Sequence, residues 1–366
     1  MRNRRAVART PLVLSAAGVA LACLGLAAVP PLRADNPLTV GPAETHLKNI
    51  RQLTLGGENA EAYFSFDGTR LTFQSTRPPF GCDQIYVIDL AARDVTSPLY
   101  SRLVSTGKGR TTCSYFYPDG KSVLYSSTHA AADTCPAKPS FSRGYVWPLY
   151  PGYDIFRADL NGNILQQLTD TPGYDAEATI SPDGKHIVFT SDRDGDLELY
   201  TMDLDGKNVV RLTNAPGYDG GAFYSPDSKT ICYRAHHPTD PKELAEYREL
   251  LGEHLIKPGE LDIMVMDADG KNQRVVLANG KANFAPYFHP SGKKILFSSN
   301  MADPKGRNFD IYMVNLDGSG LDRVAFHETF DGFPMFSPDG RRLVFASNRN
   351  ASVPGETNIF IADWVD

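Results

Sequence analysis

Short apolar segments separated by polar turns recur along most of the chain. Each segment is rich in β-branched and aromatic side chains and is bounded by Gly, Asp, Asn or Pro, which is the pattern of β-strands. One stretch, 240–255, differs because Leu244, Tyr247 and Leu251 recur at helical spacing behind a capping Asp240. The pattern therefore predicts an all-β chain that contains one helix.

One turn recurs six times and orders the strands around it. In its fullest form it reads Ser-Pro-Asp-Gly: proline presets φ, aspartate bonds to the following backbone, and glycine takes the left-handed conformation. One short strand precedes each copy, and further strands follow it. The copies occupy residues 65–68, 117–120, 181–184, 225–228, 289–292 and 337–340. Four strands per repeat are typical of a propeller, so we predict a six-bladed β-propeller of four-stranded antiparallel blades.

The ends of the chain predict how the ring closes. The sixth repeat supplies only three strands before Asp366, whereas 46–54 matches the pattern of a fourth strand and has no repeat of its own. A closed ring leaves no sheet edge unpaired. We therefore expect 46–54 to complete the last blade, in a propeller domain 46–366 that carries two insertions. These insertions span residues 129–153 and 236–261.

The N-terminal segment has the pattern of a secretory signal. Four arginines precede an apolar run, Leu12–Val29, and a small residue, Ala34, follows. This pattern predicts a signal peptide over 1–34, a linker over 35–45, and a periplasmic or secreted protein. The alternative is an uncleaved, membrane-anchored form, because about 18 apolar residues suffice to span a bilayer.

Charge excludes one class of partner. The chain carries a net charge of −6, and residues 1–34 contain five arginines and no acidic residue, so the rest of the chain carries −11. An acidic protein repels phosphate groups, and we therefore expect no nucleic-acid partner.

Four cysteines follow the N-terminal segment. Cys232 lies in an apolar strand and is expected to be a buried free thiol. Export permits a disulfide among Cys82, Cys113 and Cys135. We favour the pair 82–135, because both residues lie in loops that can adjust to disulfide geometry, while Cys113 lies in an inner strand.

The repeat resembles that of a known family. The SPDG turn, the RLT strand before it and the strand of type IY-x-x-D-x-DG after it are similar to the propeller repeat of the TolB family, whose members are periplasmic. The resemblance covers residues 46–366 and implies a binding or scaffold protein of the cell envelope. TolB proteins carry an α/β domain ahead of the propeller, for which the interval between residues 34 and 46 is too short.

The loops between second and third strands and the connections between blades share one side of a propeller, here called the looped face. Polar residues begin five inner strands on that face, and acidic or aromatic residues accompany them. These residues could form a ring at the channel mouth that holds a cation or a basic peptide, but we favour the alternative that their side chains cap turns and satisfy neighbouring backbone N–H groups. The residues are Asn59, Asp175, Asp219, Asn283 and Asp331, with Glu61, Glu177, Tyr174 and Tyr218 beside them.

The insertions predict a cleft. The loop of the third blade, 192–195, is short, whereas its neighbours carry the aromatic stretch 143–153 and the helix 240–255. A low blade between two tall ones would leave a concave site with aromatic walls; the alternative is that the rings form a satellite core. The candidate ligand-binding residues are Tyr145, Trp147, Tyr150, Tyr174, Asp175, Glu177, Asp192, Arg193, Asp219 and Asp331.

Two functions remain open at this point. We favour a monomeric, non-enzymatic binding protein that engages a protein or peptide of the cell envelope through the looped face, with no cofactor. The alternative is a metal-assisted lyase or hydrolase acting on acidic oligosaccharides, in which a divalent cation lies at the channel mouth. His129, His236 and His237 are weak candidates for its ligands, because each ends a second strand on the looped face.

Overall fold

The computed structural model describes residues 44–92, 94–97 and 100–366. The predicted signal peptide 1–34 and nearly all of the linker 35–45 lie outside these residues. Within them, six four-stranded antiparallel sheets form a six-bladed β-propeller. The predicted fold class is therefore confirmed.

Short strands separated by tight turns occur where the apolar segments predict them. The strands are β1 (Leu47–Gln52), β2 (Glu58–Phe64), β3 (Arg70–Thr76), β4 (Gln84–Asp89), β5 (Ser101–Leu103), β6 (Thr111–Phe116), β7 (Ser122–Ser127), β8 (Trp147–Pro148), β9 (Asp154–Asp159), β10 (Ile164–Gln167), β11 (Asp175–Ile180), β12 (His186–Ser191), β13 (Glu198–Asp203), β14 (Val210–Arg211), β15 (Tyr218–Tyr224), β16 (Thr230–His236), β17 (Leu255–Ile256), β18 (Asp262–Asp267), β19 (Arg274–Leu277), β20 (Asn283–Phe288), β21 (Lys294–Ser299), β22 (Asp310–Asn315), β23 (Asp322–Ala325), β24 (Asp331–Phe336), β25 (Arg342–Ser347) and β26 (Asn358–Trp364).

Each blade runs from an inner strand at the axis to an outer strand at the rim. From the inside outwards, the blades are β2-β3-β4-β5, β6-β7-β9-β10, β11-β12-β13-β14, β15-β16-β18-β19, β20-β21-β22-β23 and β24-β25-β26-β1. The core lies between the blades, where large side chains of the second strands are fully buried. Phe73, Phe189, Phe297 and Phe345 are the repeated examples.

The ring closes as the sequence predicts. Strand β1 pairs antiparallel with β26, and Leu47 lies opposite Trp364. Leu47 and Ile50 are buried, and the His46 ring stacks on Trp364 with a centroid distance of 4.9 Å. The N-terminal strand therefore completes the last blade.

The repeated turns form one side of the propeller, here called the turn face. In the third blade, Ser181 Oγ donates a hydrogen bond to Asp183 Oδ1 at 2.7 Å, and Gly184 takes a φ of 68°. Ser228 replaces this glycine in the fourth blade and still adopts a φ of 60°. The turn therefore keeps its left-handed backbone conformation even where serine replaces glycine.

The two insertions meet on the looped face. Strand β8 of the first insertion pairs antiparallel with β17 of the second. The helix α1 spans Pro241–Gly252 and is capped by the Asp240 side chain. It ends earlier than predicted, because the chain turns into β17 at Leu255. Its buried residues are Tyr247 and Leu250, of which Leu250 lies outside the predicted stripe.

The cysteines occupy the predicted states. Cys82 and Cys135 form a disulfide with a Cα–Cα distance of 5.9 Å, whereas Cys113 and Cys232 are buried free thiols. Across the described residues, no helix has the length and apolar character needed to cross a membrane.

Candidate functional site

Every inner strand carries a β-bulge at the same place. The pairing register shifts once in β2, β6, β11, β15, β20 and β24. One residue in each bulge adopts a left-handed backbone, and a bulge of this kind redirects a side chain. These residues are Glu61 (φ 52°), Cys113 (46°), Glu177 (58°), Gly221 (60°), Ala285 (50°) and Phe333 (55°). All six line one small cavity, with about 30 Å³ of space for water-sized molecules, which we call the axial pocket.

Aromatic rings close the axial pocket on the turn-face side. Tyr63 of blade 1 and Phe223 of blade 4 come from facing blades, and their ring centroids are 5.6 Å apart. Tyr115 lies 5.8 Å from Tyr63, and Tyr287 lies 5.2 Å from Phe223. Because these rings meet across the axis, they separate the pocket from the turn face.

Blades 1 to 3 form the polar half of the pocket. Glu61 Oε2 accepts hydrogen bonds from Cys113 Sγ at 2.9 Å and from the Tyr63 hydroxyl at 3.2 Å. Burial raises the pKa of Glu61, and the nearby Glu177 charge adds to the rise. Burial and the Glu61 charge also raise the pKa of Cys113, which keeps that group a thiol rather than a nucleophilic thiolate.

Arg234 reaches the pocket from the second strand of blade 4. A Cβ atom at Gly221 would lie 2.6 Å from its guanidinium Nη1, so the glycine leaves the space that the arginine occupies. Arg234 pairs with Glu177, and its Nε donates to the Tyr218 hydroxyl at 2.7 Å. Burial alone would lower the pKa of Arg234, but the Glu177 charge opposes it and the pKa lies above its usual range. The ring of Trp147 lies 5.1 Å from this guanidinium.

The charges in the pocket do not balance. Arg234 is paired with Glu177, and no salt bridge between described residues includes Glu61. Two carboxyl groups therefore face one guanidinium, and the pocket has an excess carboxyl group.

The bulge residues of blades 4 to 6 line the apolar half of the pocket, while Arg234 of blade 4 lies with the polar half. These bulge residues are Gly221, Ala285 and Phe333, which offer no charged group. Phe333 packs against Phe284 at a centroid distance of 5.2 Å, and Trp147 makes an edge contact with Phe284 at 6.4 Å. One wall of the pocket is therefore apolar and aromatic.

The polar residues that could have formed a ring at the channel mouth are buried instead. Asp175 is 1% exposed, and Asp219 and Asp331 are fully buried. The partners of these three residues are Arg193, His237 and Arg349, respectively. Asn59 and Asn283 are likewise fully buried. Their side chains point into the blade junctions. Asp331 accepts the His327 backbone N–H at 2.8 Å, as the turn-capping alternative implied, whereas Asp175 and Asp219 bond side chains.

The predicted open cleft above blade 3 is also absent. The β8–β17 pairing joins its two walls, and the space beneath is filled by a satellite core. Within this core, Tyr174 packs edge-on against Tyr153 at 5.7 Å, and the Tyr247 hydroxyl donates to Gly217 O at 2.7 Å. The buried members of the satellite core are Leu149, Tyr153, Tyr174, Ala176, Leu197, Tyr218, Tyr247, Ile256, Leu261, Phe284 and Ala285.

The predicted ligand-binding residues outside the blade junctions differ in their exposure to solvent. Tyr145 is 71% exposed, and its hydroxyl accepts a hydrogen bond from Trp147 Nε1 at 3.1 Å. Trp147 and Tyr150 are partly exposed beside it. Asp192 is partly exposed as well, and its Oδ1 accepts the Tyr174 backbone N–H at 2.7 Å. Ligand binding by these residues stays a prediction.

The candidate metal-binding histidines have separate partners. His129 Nδ1 lies 2.9 Å from Ser127 Oγ. His236 Nε2 lies 3.0 Å from Glu243 Oε1, and His237 Nε2 lies 3.0 Å from Asp219 Oδ1. In the part of the chain that the structure describes, no three His, Cys, Asp or Glu side chains converge as metal ligands would.

Sequence reasoning identified Glu61 and Glu177 but missed the rest of the pocket. Each bulge residue lies two positions after the polar residue that begins, or nearly begins, its inner strand. Applied to every blade, that spacing finds the missed positions Cys113, Gly221, Ala285 and Phe333. This spacing does not identify Arg234, because Arg234 lies on the second strand of its blade and not on the inner strand.

Known proteins share this architecture. The family model described as the TolB beta propeller domain matches residues 151–242. The solved structure of a putative TolB from Agrobacterium tumefaciens has a TM-score of 0.53 at 19% identity, covering 85% of this chain and 91% of that one. TolB from Acinetobacter baumannii has a TM-score of 0.52 at 19% identity, with 75% of this chain and 56% of that one covered.

An enzyme has a comparable fold. Oligogalacturonate lyase from Vibrio parahaemolyticus has a TM-score of 0.50 at 15% identity, covering 86% of this chain and 93% of that one. At these identities the likeness concerns the fold and leaves the activity of this chain open. The chain is a TolB-like six-bladed β-propeller.

Proposed function

We propose that this chain is an exported, non-enzymatic binding protein that engages a protein or peptide partner of the cell envelope through its looped face. The observation that carries the proposal is the asymmetry of the two faces. The turn face repeats one tight turn, whereas the looped face carries both insertions, which pair with each other. Loops on a rigid scaffold are where binding residues concentrate.

The paired insertions supply an exposed aromatic surface. Tyr145 is held by its bond to Trp147, whose ring in turn lies over Arg234 at the pocket. Tyrosine and tryptophan provide large contact areas at a low entropic cost and are enriched at binding hot spots. The export part of the proposal rests on the basic and apolar N-terminal sequence.

Capture from an envelope extract of the source organism, with the full chain as bait, tests this proposal. A protein retained by the unmodified chain should be lost with Tyr145→Ala, because truncating an aromatic hot spot costs about 2 kcal/mol or more. Leu165→Ala is the matched control, since Leu165 is a 55% exposed apolar residue on an outer strand. Equal loss with both variants, or retention with Tyr145→Ala, would contradict binding through the looped face.

The same preparation also tests for the enzymatic alternative. The chain is incubated with acidic oligosaccharides, and ultraviolet absorbance from unsaturated products is recorded. We expect no absorbance change. Turnover that survives further purification would show that the protein is a lyase.

A further inference from the structure

The strand that closes the ring begins at a histidine that contacts both of the last two blades. His46 directly precedes β1, and its ring stacks on Trp364 of β26 with an interplanar angle of 8°. Its Nδ1 lies 2.8 Å from Val365 O, and its Nε2 lies 2.8 Å from Asp322 Oδ2 on β23. The His46 side chain is 16% exposed. We call this set of contacts the closing latch.

Both nitrogen atoms of the His46 ring face hydrogen-bond acceptors. Val365 O is a carbonyl oxygen and Asp322 Oδ2 is a carboxylate oxygen, and an ionised carboxylate accepts only. A neutral imidazole has a single N–H group, so its other nitrogen would direct a lone pair at an oxygen 2.8 Å away. The protonated ring donates to both oxygens. The closing latch therefore fits the imidazolium form of His46.

The stacked indole favours the same protonation state. The His46 and Trp364 ring centroids are 4.9 Å apart, and the face of a tryptophan ring attracts a cation. Other contacts hold the indole: its Nε1 donates to Asp366 Oδ1 at 2.9 Å, and its ring meets the Phe336 ring at a centroid distance of 4.8 Å. Trp364 therefore stays in place whether or not His46 carries a charge.

A second histidine contacts the same indole but fits the neutral form. The His289 ring centroid lies 5.8 Å from that of Trp364. His289 Nδ1 accepts the Ser291 backbone N–H at 3.1 Å, so this nitrogen presents a lone pair. Its Nε2 lies 3.4 Å from Asp366 Oδ1 and can donate to it. Burial lowers the pKa of His289, which favours the neutral ring.

The other charged groups around the latch are Asp322 on β23, Asp366 after β26 and Lys294 on β21. Aspartate and lysine side chains ordinarily titrate outside the range in which histidine titrates. Their charges therefore form a constant background, and His46 is the group whose contacts change with pH.

We propose that His46 is a pH-sensitive latch of the ring: its protonated form holds the start of β1 to β26 and β23, and loss of the proton in mildly alkaline solution loosens that end of the strand. The far end of β1 has contacts that do not titrate, from Thr54 Oγ1 to Asn358 Oδ1 and from Leu53 N–H to Ile359 O. The strand should therefore open from its start. The inference goes beyond the proposed function, because closure would respond to pH whether or not a partner binds.

Hydrogen–deuterium exchange of the full chain tests the proposal at about pH 5 and about pH 8, the limits of the range in which histidine titrates. Labelling times are scaled to the intrinsic exchange rate at each pH. We expect the protection of peptides from the start of β1 to fall about tenfold at the higher pH, the effect of losing one hydrogen bond to a charged group. Peptides of β7 in blade 2 are the internal reference. Equal protection of β1 at both pH values would overturn the proposal.

Variants assign the effect to His46. Glutamine cannot gain a proton, so His46→Gln should leave the start of β1 poorly protected at both pH values. His289→Gln is the matched control, because it changes the other histidine beside Trp364 and should keep the pH difference.

Asp322→Asn serves if His46→Gln does not fold, because Asp322 has a 51% exposed side chain. The asparagine amide can donate or accept, so it satisfies either form of His46 and should abolish the pH difference. An unchanged difference in the variant used would overturn the assignment to the latch.

Glu198→Gln separates the latch from the carboxyl group that titrates between blades 3 and 4. The pH difference at β1 should persist in this variant, and its loss there would overturn the proposal. Exchange is measured without a partner, so failure of envelope capture would refute the proposed function and leave this inference standing.

Discussion

The two halves of the axial pocket share one backbone and differ in their side chains. All six bulge residues have φ between 46° and 60°, yet blades 1 to 3 present Glu61, Cys113 and Glu177, while blades 4 to 6 present Gly221, Ala285 and Phe333. A left-handed backbone conformation at a residue other than glycine costs about 1–3 kcal/mol. This cost applies to five of the six bulge residues, all but Gly221. Because the conformation recurs in every blade, it belongs to the architecture. Only the side chains carry the chemistry.

The halves meet at two junctions that are built differently. Blades 6 and 1 meet beside the β1 strand, where Asn59 Nδ2 lies 3.4 Å from Asn358 Oδ1 and both groups are neutral. Blades 3 and 4 meet at Glu198 and Asp219, two buried carboxyl groups. Burial, with a contribution from the Asp219 charge, raises the pKa of Glu198 to about 7. The junction between blades 3 and 4 therefore contains a carboxyl group that titrates near neutral pH.

Removing the strand that joins blades 6 and 1 should have the largest effect. Deletion of residues 47–54 exposes an edge of β26 and removes the buried side chains Leu47, Ile50 and Leu53. Their burial contributes about 5–9 kcal/mol in total, comparable with the whole stability of a domain, about 5–15 kcal/mol. We expect aggregation or loss of the cooperative thermal transition. The control begins at residue 44, and a monomeric deletion variant with an unchanged melting temperature would contradict this role of β1.

Breaking the ion pair in the polar half should have an intermediate effect. Arg234→Met leaves Glu177 without its cation, and removing one partner of a buried pair costs about 3–5 kcal/mol. The double variant Arg234→Met/Glu177→Gln should recover most of this loss, as urea denaturation can measure.

The matched change in the apolar half is Ala285→Gly. Ala285 has a φ of 50°, so the loss of its methyl group is offset by relief of the left-handed strain, and we expect a change within about 1 kcal/mol. Equal costs for Arg234→Met and Ala285→Gly would show that the two halves do not differ in the way described.

Titration of the junction between blades 3 and 4 should change the stability gradually with pH. The pKa of Glu198 rises from 4.5 to about 7 on folding, so its protonated form contributes stability that is fully present below pH 4.5. This contribution is lost as the pH rises through about 7. Urea denaturation at several pH values should therefore show stability falling over this range.

Glu198→Gln should make that fall shallower, because the amide does not titrate. The pKa of His237 is also raised, by its hydrogen bond to Asp219, and this gives a dependence of the same sign that persists in the variant. The exposed Glu58→Gln is the control. A slope unchanged by Glu198→Gln would exclude Glu198 as its source.

Ring architecture could be predicted because its signals are local and repeated. Each SPDG turn is specified by its own four residues, and each strand is indicated by a few consecutive apolar residues. The closing strand followed from counting, and the pair Cys82–Cys135 followed from placing cysteines in loops or strands. Glu61 and Glu177 were accessible to sequence reasoning for the same reason: they keep a fixed offset from the start of an inner strand.

What the sequence by itself determined is therefore the fold, its closure and two of the positions that face the axis, Glu61 and Glu177. Tertiary structure alone decided that β8 pairs with β17 across blade 3, that Arg234 enters the space left by Gly221, and that Asp175 and Asp331 turn into the blade junctions. The physical reason is the separation along the chain of the residues that interact. Turns and strands depend on neighbours in the chain, whereas the site depends on residues from different blades, whose approach is set only when the ring has closed.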